Sequence, residues 1–172
     1  MRGRKIIVIG CKNVSKKITY KVILDRIELG TYMIAAALVG KKIKIENIDT
    51  ELVKNEIYIL KKMGVLIKKQ KFSVEILKSR NIKKINISTK PYPGFPTDLQ
   101  AQLMVLMTRA KGISTIKENI FENRFMHVPE LKRMGADIKI KNKTAVITGP
   151  SQLTGAEVMA TDLRASVSLV LA

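Results

Sequence analysis

The sequence contains an internal repeat, and this repeat restricts the fold more than any other feature. KKMGVLIKK at residues 61–69 and KRMGADIKI at residues 132–140 superpose, so that Met63 aligns with Met134, 71 residues later. In both copies a helical pattern ends at glycine and a β-rich run follows. Such a chain is expected to pack copies of one supersecondary element against each other.

Each copy predicts a strand, a helix, a strand, a second helix and two strands, which is a βαβαββ unit. The alternation favours an α/β (α+β) fold with two units and a truncated third. Predicted strands lie at residues 5–10, 42–47, 65–69, 71–77, 84–89, 113–118, 136–141 and 144–149. Predicted helices lie at residues 27–39 and 51–64, from Asp98, within 118–135 and from Thr161.

The last predicted helix reaches the end of the sequence without a terminating signal. Leu169, Val170 and Leu171 are apolar, and no glycine, asparagine or basic last turn follows them. An uncapped apolar helix leaves surface with nothing to bury it. The pattern therefore predicts that the third unit is cut short.

Composition indicates a globular chain in a reducing compartment. Hydrophobic residues make up 46% of the sequence, which is enough to bury a core. No apolar run is long enough to span a bilayer and no signal peptide is recognisable, so we expect a cytoplasmic protein without membrane contact. The single cysteine, Cys11, and the single histidine, His127, exclude a disulfide framework and a Cys/His metal cluster. No cofactor is expected.

The net charge of +18 raises the hypothesis of nucleic-acid binding. However, the lysines are scattered along the chain, and aromatic residues are only 5% of the composition. We therefore favour a lysine-rich solvated surface and keep a basic nucleic-acid-binding module as the alternative.

The segment TDLQ at residues 97–100 follows the proline-rich loop PYPGFP. Thr97 and Gln100 have the spacing of a capping box, in which the side chain of each residue accepts a hydrogen bond from the backbone N–H of the other. Asp98 suits the positive end of a helix, but a stiff preceding loop would also fix its carboxylate for service as a general base or hydroxyl acceptor. Both interpretations stay open.

The segment TDLR at residues 161–164 repeats this pattern with an arginine. Asp162 fits a helix start, whereas Arg164 places a cation where the helix dipole disfavours it by ~0.3–1 kcal/mol. Either a bound anion or an ion pair with an acid such as Asp162 would compensate. The segment DRIE at residues 25–28 resembles a third helix start, with Asp25 as its cap.

The stretch ENIFENRFMHVPELKRMG is predicted to be mostly a core-facing helix, with Pro129 as a kink or restart. Phe121 is assigned to its apolar side, and Arg124 and His127 to its polar side. A lone histidine is more often structural than a ligand, so His127 receives no functional role. A catalytic thiol at Cys11 is not expected, since no histidine or basic loop accompanies it.

Three long blocks occur in order along the chain: FPTDLQAQ, ENIFENRFMHVPELKRMGADIKI and GAEVMATDLRASVSLVLA. Together they resemble the family of UDP-N-acetylglucosamine 1-carboxyvinyltransferases, the enolpyruvyl transferases of peptidoglycan synthesis. The similarity is close from about residue 90 to residue 172 and looser upstream. It implies two domains, each built from three βαβαββ units around a pseudo-threefold axis.

The resemblance also implies a domain organisation. Residues 1–22 would be the tail of a preceding domain and a hinge, and residues 23–172 would be part of the second domain. Within that part, the units are expected at residues 23–80, 81–150 and, truncated, 151–172.

Family roles are implied where the motifs match. Asp98 resembles the aspartate that contacts the sugar 3-hydroxyl and is implicated in its deprotonation. Ile120 occupies the position of a hydrophobic residue that contacts the UDP-sugar through its backbone. Asp162 and Arg164 match residues near the phosphoenolpyruvate side of the cleft. The implied substrates are UDP-N-acetylglucosamine and phosphoenolpyruvate.

Several family elements have no counterpart here: an N-terminal Lys-Asn pair, a cysteine-bearing lid loop and an arginine after the third-unit helix. The resemblance therefore predicts a fragment that is inactive alone. A separately encoded N-terminal half is one source of the missing segments. The shikimate-pathway enolpyruvyl transferase is a weaker rival, because FENRFMHVPEL and ATDLRAS favour the UDP-sugar enzyme.

Overall fold

The computed structural model describes residues 6–10, 17, 19–77, 79–160 and 162–172. Its elements form two successive groups and one final helix. The first group is α1 (Arg26–Val39), β1 (Lys42–Glu46), α2 (Lys54–Lys62), β2 (Leu66–Lys69) and β3 (Ser73–Leu77). The second is β4 (Asn86–Ser88), a 3-10 turn (Thr97–Leu99), α3 (Gln100–Thr108), β5 (Gly112–Lys117), α4 (Val128–Arg133), β6 (Asp137–Lys141) and β7 (Thr144–Gly149), and it is followed by α5 (Leu163–Leu171).

The two groups share one sheet topology. In the first, β3 lies between β1 and β2, and both pairings are antiparallel. In the second, β7 lies between β5 and β6 in the same way, and β4 adds a parallel strand beside β5. The second group is thus a complete βαβαββ unit, and the first has the same order from its first helix onward.

The strand predicted at residues 5–10 is wrong for the part that the structure describes. Residues 6–10 pair with no strand among the described residues, and Ile6 and Ile9 are 87% and 88% exposed. An apolar, β-branched run has high strand propensity, but a strand exists only where a neighbour accepts its backbone hydrogen bonds. Cys11 lies outside the described residues.

The repeated Met-Gly step ends α2 and α4 in the same manner. Met63 and Met134 are buried, and Gly64 and Gly135 have φ values of +84° and +100°. Each glycine donates its N–H to a carbonyl three residues earlier, and the next residue donates to a carbonyl five residues earlier. This is the Schellman arrangement, which needs a left-handed residue and therefore favours glycine. The repeated Met-Gly sequence therefore encodes the same helix C-terminus in both units.

The centre of the fold is α3, which packs against α1 and α5. All nine α3 residues are buried, although Gln100, Gln102 and Thr108 are polar. Gln102 donates a hydrogen bond to Thr31 Oγ1 of α1 at 3.2 Å. Two helices from the neighbouring units, α1 and α5, therefore pack against one buried helix. No helix of the described residues is long and apolar enough to cross a membrane.

The long helix predicted within residues 118–135 is reduced to the six residues of α4. Pro129 lies in the first turn of α4, where its missing N–H costs no intrahelical hydrogen bond. The preceding segment is a loop, in which Phe121 is 50% exposed and His127 only 1% exposed. Both assignments to helix sides are therefore wrong, because the loop directs these side chains independently of helical periodicity.

Gly149 provides a test of the packing around α3. A Cβ at this position would collide with the carbonyl oxygen of Ala110 and lie 2.8 Å from that of Thr108. Backbone oxygens cannot rotate away, so we expect Gly149→Ala to lower the free energy of unfolding by about 2 kcal/mol. Gly155→Ala is the matched control, since nothing lies within 4 Å of its added Cβ. Equal urea-unfolding midpoints for the two variants would contradict this packing.

Candidate active site

The site is organised by Glu118, whose carboxylate lies directly after β5 and is 1% exposed. Its Oε1 accepts hydrogen bonds from Thr89 Oγ1 at 2.8 Å, from the Ile120 N–H at 2.8 Å and from the Phe121 N–H at 3.2 Å. Burial of a carboxylate is costly unless several donors surround it. These contacts fold the loop after β5 back onto the end of β4.

The second oxygen of Glu118 binds the start of α3. Oε2 accepts from Thr97 Oγ1 at 2.9 Å and from Gln100 Nε2 at 3.3 Å. The predicted capping box is therefore wrong. Pro96 takes the cap position of the 3-10 turn without a side-chain hydrogen bond. Thr97 and Gln100 instead meet the buried carboxylate, which removes two unpaired donors from the core at once.

This network brings two predicted site residues into one region. Thr97, next to Asp98, and the backbone of Ile120 both bind the Glu118 carboxylate. Ile120 is 38% exposed, and Asp98 is partly exposed. The Ile120 N–H is already used by Glu118, so its carbonyl oxygen is the backbone group left for a ligand.

Asp98 is paired with an arginine that sequence reasoning did not assign to the site. Arg124 Nη2 donates to Asp98 Oδ1 at 2.7 Å, and the side chains are 21% and 39% exposed. The guanidinium also lies 5.0 Å from the centroid of the Phe121 ring. Oδ2 of Asp98 therefore remains available, with its orientation fixed by Arg124.

The proline-rich loop before Asp98 is tied to itself. Lys90 donates its N–H to the Phe95 carbonyl at 2.9 Å, and Gly94 donates to the Pro91 carbonyl at 2.8 Å. Phe95 is buried in the core. These contacts tie the loop to itself and to the core immediately before Asp98.

Asp162 caps α5, as its sequence context predicts. Its Oδ1 accepts from the N–H groups of Arg164 at 2.7 Å and Ala165 at 3.0 Å. The Ala165 N–H lowers the pKa of the Asp162 carboxyl most, the Arg164 N–H and the positive charge of Arg124 act in the same direction, and partial burial opposes them. Asp162 therefore caps α5 as a carboxylate, and the positive charge of Arg124 favours that charged form.

The sequence left two explanations for Arg164 at this helix start, a bound anion or an ion pair with an acid, and the structure bears on both. The Asp162 carboxylate occupies the N–H groups of Arg164 and Ala165, so these groups are not free to bind an anion. Within the described part of the chain, Arg164 forms no ion pair with Asp162 or another acid. An anion at this helix end would have to be held by the Arg164 side chain.

His127 is buried, and the charges of Asp162 and Arg124 act on its imidazole. Neither ring nitrogen has a hydrogen-bond partner among the described residues, and burial lowers the pKa of the imidazole from 6.5 to about 4. The negative charge of Asp162 opposes this shift, and the positive charge of Arg124 adds to it. His127 is therefore neutral at physiological pH.

The burial of His127 predicts a pH dependence of stability. A lowered pKa means that the unfolded chain binds the proton more readily, so the free energy of unfolding falls as the pH drops from about 6.5 to about 4. At roughly 1.4 kcal/mol per pKa unit the loss is about 3 kcal/mol. Since the sequence has one histidine, His127→Gln should flatten urea-unfolding stability across this range. An unchanged slope would contradict a buried, neutral imidazole.

The described residues include no group of three His, Cys, Asp or Glu side chains arranged to hold a metal ion. The site therefore contains the partly exposed carboxylates of Asp98 and Asp162, the buried carboxylate of Glu118, two arginines and a buried imidazole. Such a set can accept a proton from a hydroxyl and bind anionic groups.

Comparison with known proteins places the chain among enolpyruvyl transferases. A family model described as EPSP synthase (3-phosphoshikimate 1-carboxyvinyltransferase) matches residues 1–172. The chain is 56% identical over 169 residues to the UDP-N-acetylglucosamine 1-carboxyvinyltransferase of Pelagibacter ubique, covering 98% of this chain and 40% of that protein. It is 51% identical over 170 residues to the enzyme of that name from Rickettsia canadensis, covering 99% and 41%. The chain thus spans about 40% of the length of these relatives.

Solved structures agree on the fold. The enolpyruvyl transferase NikO from Streptomyces tendae superposes with a TM-score of 0.81 at 26% identity, covering 87% of this chain and 36% of NikO. An EPSP synthase from Acinetobacter baumannii gives a TM-score of 0.68 at 20% identity, covering 87% and 39%, and supports the fold alone. The predicted fold class is confirmed. Nothing in these matches supports the nucleic-acid-binding alternative.

Proposed function

Because the chain belongs to the EPSP synthase family, we propose that it carries part of an active site that transfers the enolpyruvyl group of phosphoenolpyruvate to the 3-hydroxyl of UDP-N-acetylglucosamine. Relatives that are 51–56% identical bear the name of that activity, which favours the UDP-sugar over shikimate 3-phosphate as acceptor. The reaction releases inorganic phosphate, and its product enters peptidoglycan synthesis in the cytoplasm.

The observation that carries this proposal is that the Glu118 carboxylate binds two segments of the site at once. One buried carboxylate holds both the residue before Asp98 and the backbone of Ile120. A sugar bound between them would meet the free Oδ2 of Asp98 and the Ile120 carbonyl together. This pre-orientation lowers the entropy lost when substrate and catalytic group align.

Asp98 has the geometry of a hydroxyl acceptor. With Oδ1 bound to Arg124, Oδ2 can accept the proton of the sugar 3-hydroxyl as its oxygen bonds to the enolpyruvyl carbon. Asp98 takes the hydroxyl proton, and C3 of phosphoenolpyruvate takes up a proton from solvent as the new C–O bond forms at C2. Loss of a C3 proton then restores the double bond and expels phosphate from C2 with its bonding electrons. A positioned carboxylate of this kind contributes roughly 10²–10⁴-fold to rate.

Asp162 and Arg164 would serve the phosphoenolpyruvate side. Both lie at the N-terminus of α5, and Arg164 has no acidic partner among the described residues. A guanidinium is suited to the paired oxygens of a carboxylate or phosphate. Asp162 would position the start of α5 by capping it, since its Oδ1 binds two backbone N–H groups.

The rest of such a site would come from outside this chain. The relatives are more than twice its length, and the Lys-Asn pair, the cysteine-bearing lid and the final arginine remain to be supplied. We therefore propose that residues 23–172 form part of one domain, that residues 1–22 belong to the preceding domain and hinge, and that this chain alone is inactive. A separately encoded N-terminal half would supply the Lys-Asn pair and the cysteine-bearing lid.

Reconstitution tests this function. Phosphate release is measured with phosphoenolpyruvate and UDP-N-acetylglucosamine for the chain alone and mixed with the remaining part of the Pelagibacter ubique relative. We expect release only in the mixture, and none when shikimate 3-phosphate replaces the UDP-sugar. Turnover by the isolated chain would refute the proposed inactivity, and preference for shikimate 3-phosphate would refute the acceptor.

A further inference from the structure

A second concave site lies at the opposite end of α3 from Asp98. This basic cavity has a volume of about 790 Å³ and is lined by the cations Arg80, Lys83, Lys84, Arg109 and Lys111. Since α3 has nine residues, its two ends are about 13 Å apart at 1.5 Å per residue. The basic cavity is therefore separate from the candidate active site.

The cations of the basic cavity lack acidic partners. None of the five forms an ion pair with an acid of the described residues, and no acid lines the cavity. The segments left undescribed contain no Asp or Glu. Five like charges around one concavity repel each other, and a bound anion would relieve that repulsion.

The helix ends beside the cavity do not account for these cations. The C-termini of α1 and α3 together offer about one unit of negative charge, against five positive charges. Moreover, the last carbonyls of α3 are already satisfied, because Leu106, Met107 and Thr108 accept from the N–H groups of Arg109, Ala110 and Ser151. The basic side chains are not required as helix caps.

Apart from Ser79 and Asn81, the remaining wall of the basic cavity is apolar. Leu38, Ile82, Leu106 and Pro150 contribute to it, and both Ile82 and Leu106 are buried. Small-molecule sites commonly occupy roughly 300–1,000 Å³ and combine an apolar surface with a few charged groups. Arginine forks and lysine ammonium groups suit phosphate oxygens, and the apolar wall suits a flat ring.

We propose that the basic cavity binds a nucleoside diphosphate, with the phosphates among the five cations and the base against the apolar wall. This site is independent of Asp98 and of the transfer reaction. ADP is the probe, since it carries both features and lacks the sugar acceptor of the proposed reaction.

The test is calorimetric titration of the full chain with ADP at about 0.15 M salt, where long-range attraction is screened, together with amide NMR mapping. We expect saturable binding and shifts at residues 79–84 and 109–111. The double variant Lys83→Gln/Lys111→Gln should weaken binding about tenfold or more by removing two phosphate contacts. Lys139→Gln/Lys141→Gln, which removes the same charge from β6, should change affinity less than about twofold.

Three results would overturn the proposal. The first is the absence of saturable ADP binding. The second is equal weakening by both double variants, which would indicate unspecific attraction to the +18 chain. The third is pyrophosphate binding as tight as that of ADP, because the apolar wall would then contribute nothing. Both double variants replace exposed side chains. Thermal unfolding is used to check that both variants are folded.

Discussion

Replacing Glu118 with leucine is expected to cost about 4 kcal/mol or more of unfolding free energy, because five buried or partly buried donors would lose their acceptor. The donors are the Thr89 and Thr97 hydroxyls, the Gln100 amide and the N–H groups of Ile120 and Phe121. A loss of that size is a large share of the total stability of a typical domain. Urea unfolding followed by circular dichroism measures it.

Glu118→Gln is the matched variant and should cost about 1–2 kcal/mol. Its amide oxygen can still accept from the loop N–H groups, while its NH₂ group would face Gln100. Gln100 Oε1 has no partner among the described residues, so rotation of that amide would supply the acceptor. Glu122→Leu controls for loss of charge, because Glu122 is 87% exposed. Equal costs for Glu118→Leu and Glu122→Leu would contradict the role of Glu118.

Asp98→Asn is expected to reduce phosphate release by the reconstituted mixture about 10²–10⁴-fold, since an amide cannot take the hydroxyl proton. Stability should change by less than about 1 kcal/mol, because the pair with Arg124 is partly exposed and asparagine can still accept from the guanidinium. Asp137→Asn, at an exposed position on β6, should retain full activity. Unimpaired phosphate release by the Asp98→Asn variant would show that Asp98 has no catalytic role.

Features with local causes were predictable from the sequence. The Met-Gly helix ends and the caps at Asp25 and Asp162 depend on residues within one turn, and all are present. The βαβαββ order follows from hydrophobic periodicity and from the repeat of that periodicity. These elements need no knowledge of the tertiary structure.

The two Thr-Asp-Leu segments show where local reasoning fails. In the second, Asp162 caps a helix as expected. In the first, a buried carboxylate more than 15 residues away takes both Thr97 and Gln100, and no local pattern indicates that competitor. Phe121 and His127 were misassigned for the same reason, since a loop rather than a helix orients them. The sequence offered one weak signal, an acidic residue, Glu118, at the end of the predicted strand 113–118.

The strand predicted at residues 5–10 failed for a different reason. Its side chains have the correct character, but strand formation requires a neighbouring strand, and residues 6–10 have none within the described structure. Strand propensity describes which segments are able to form a strand, and backbone pairing with a neighbouring strand decides whether the strand forms.

We expect the UDP-sugar to bind to Asp98, which follows the Glu118-bound Thr97, and to the backbone of Ile120, which Glu118 holds directly. Amide NMR titration of this chain with UDP-N-acetylglucosamine tests this central claim most directly. The claim predicts shifts centred on residues 97–98 and 118–121 that disappear in Asp98→Asn and persist in Asp137→Asn. Absence of shifts at millimolar ligand, or identical binding by Asp98→Asn, would contradict it.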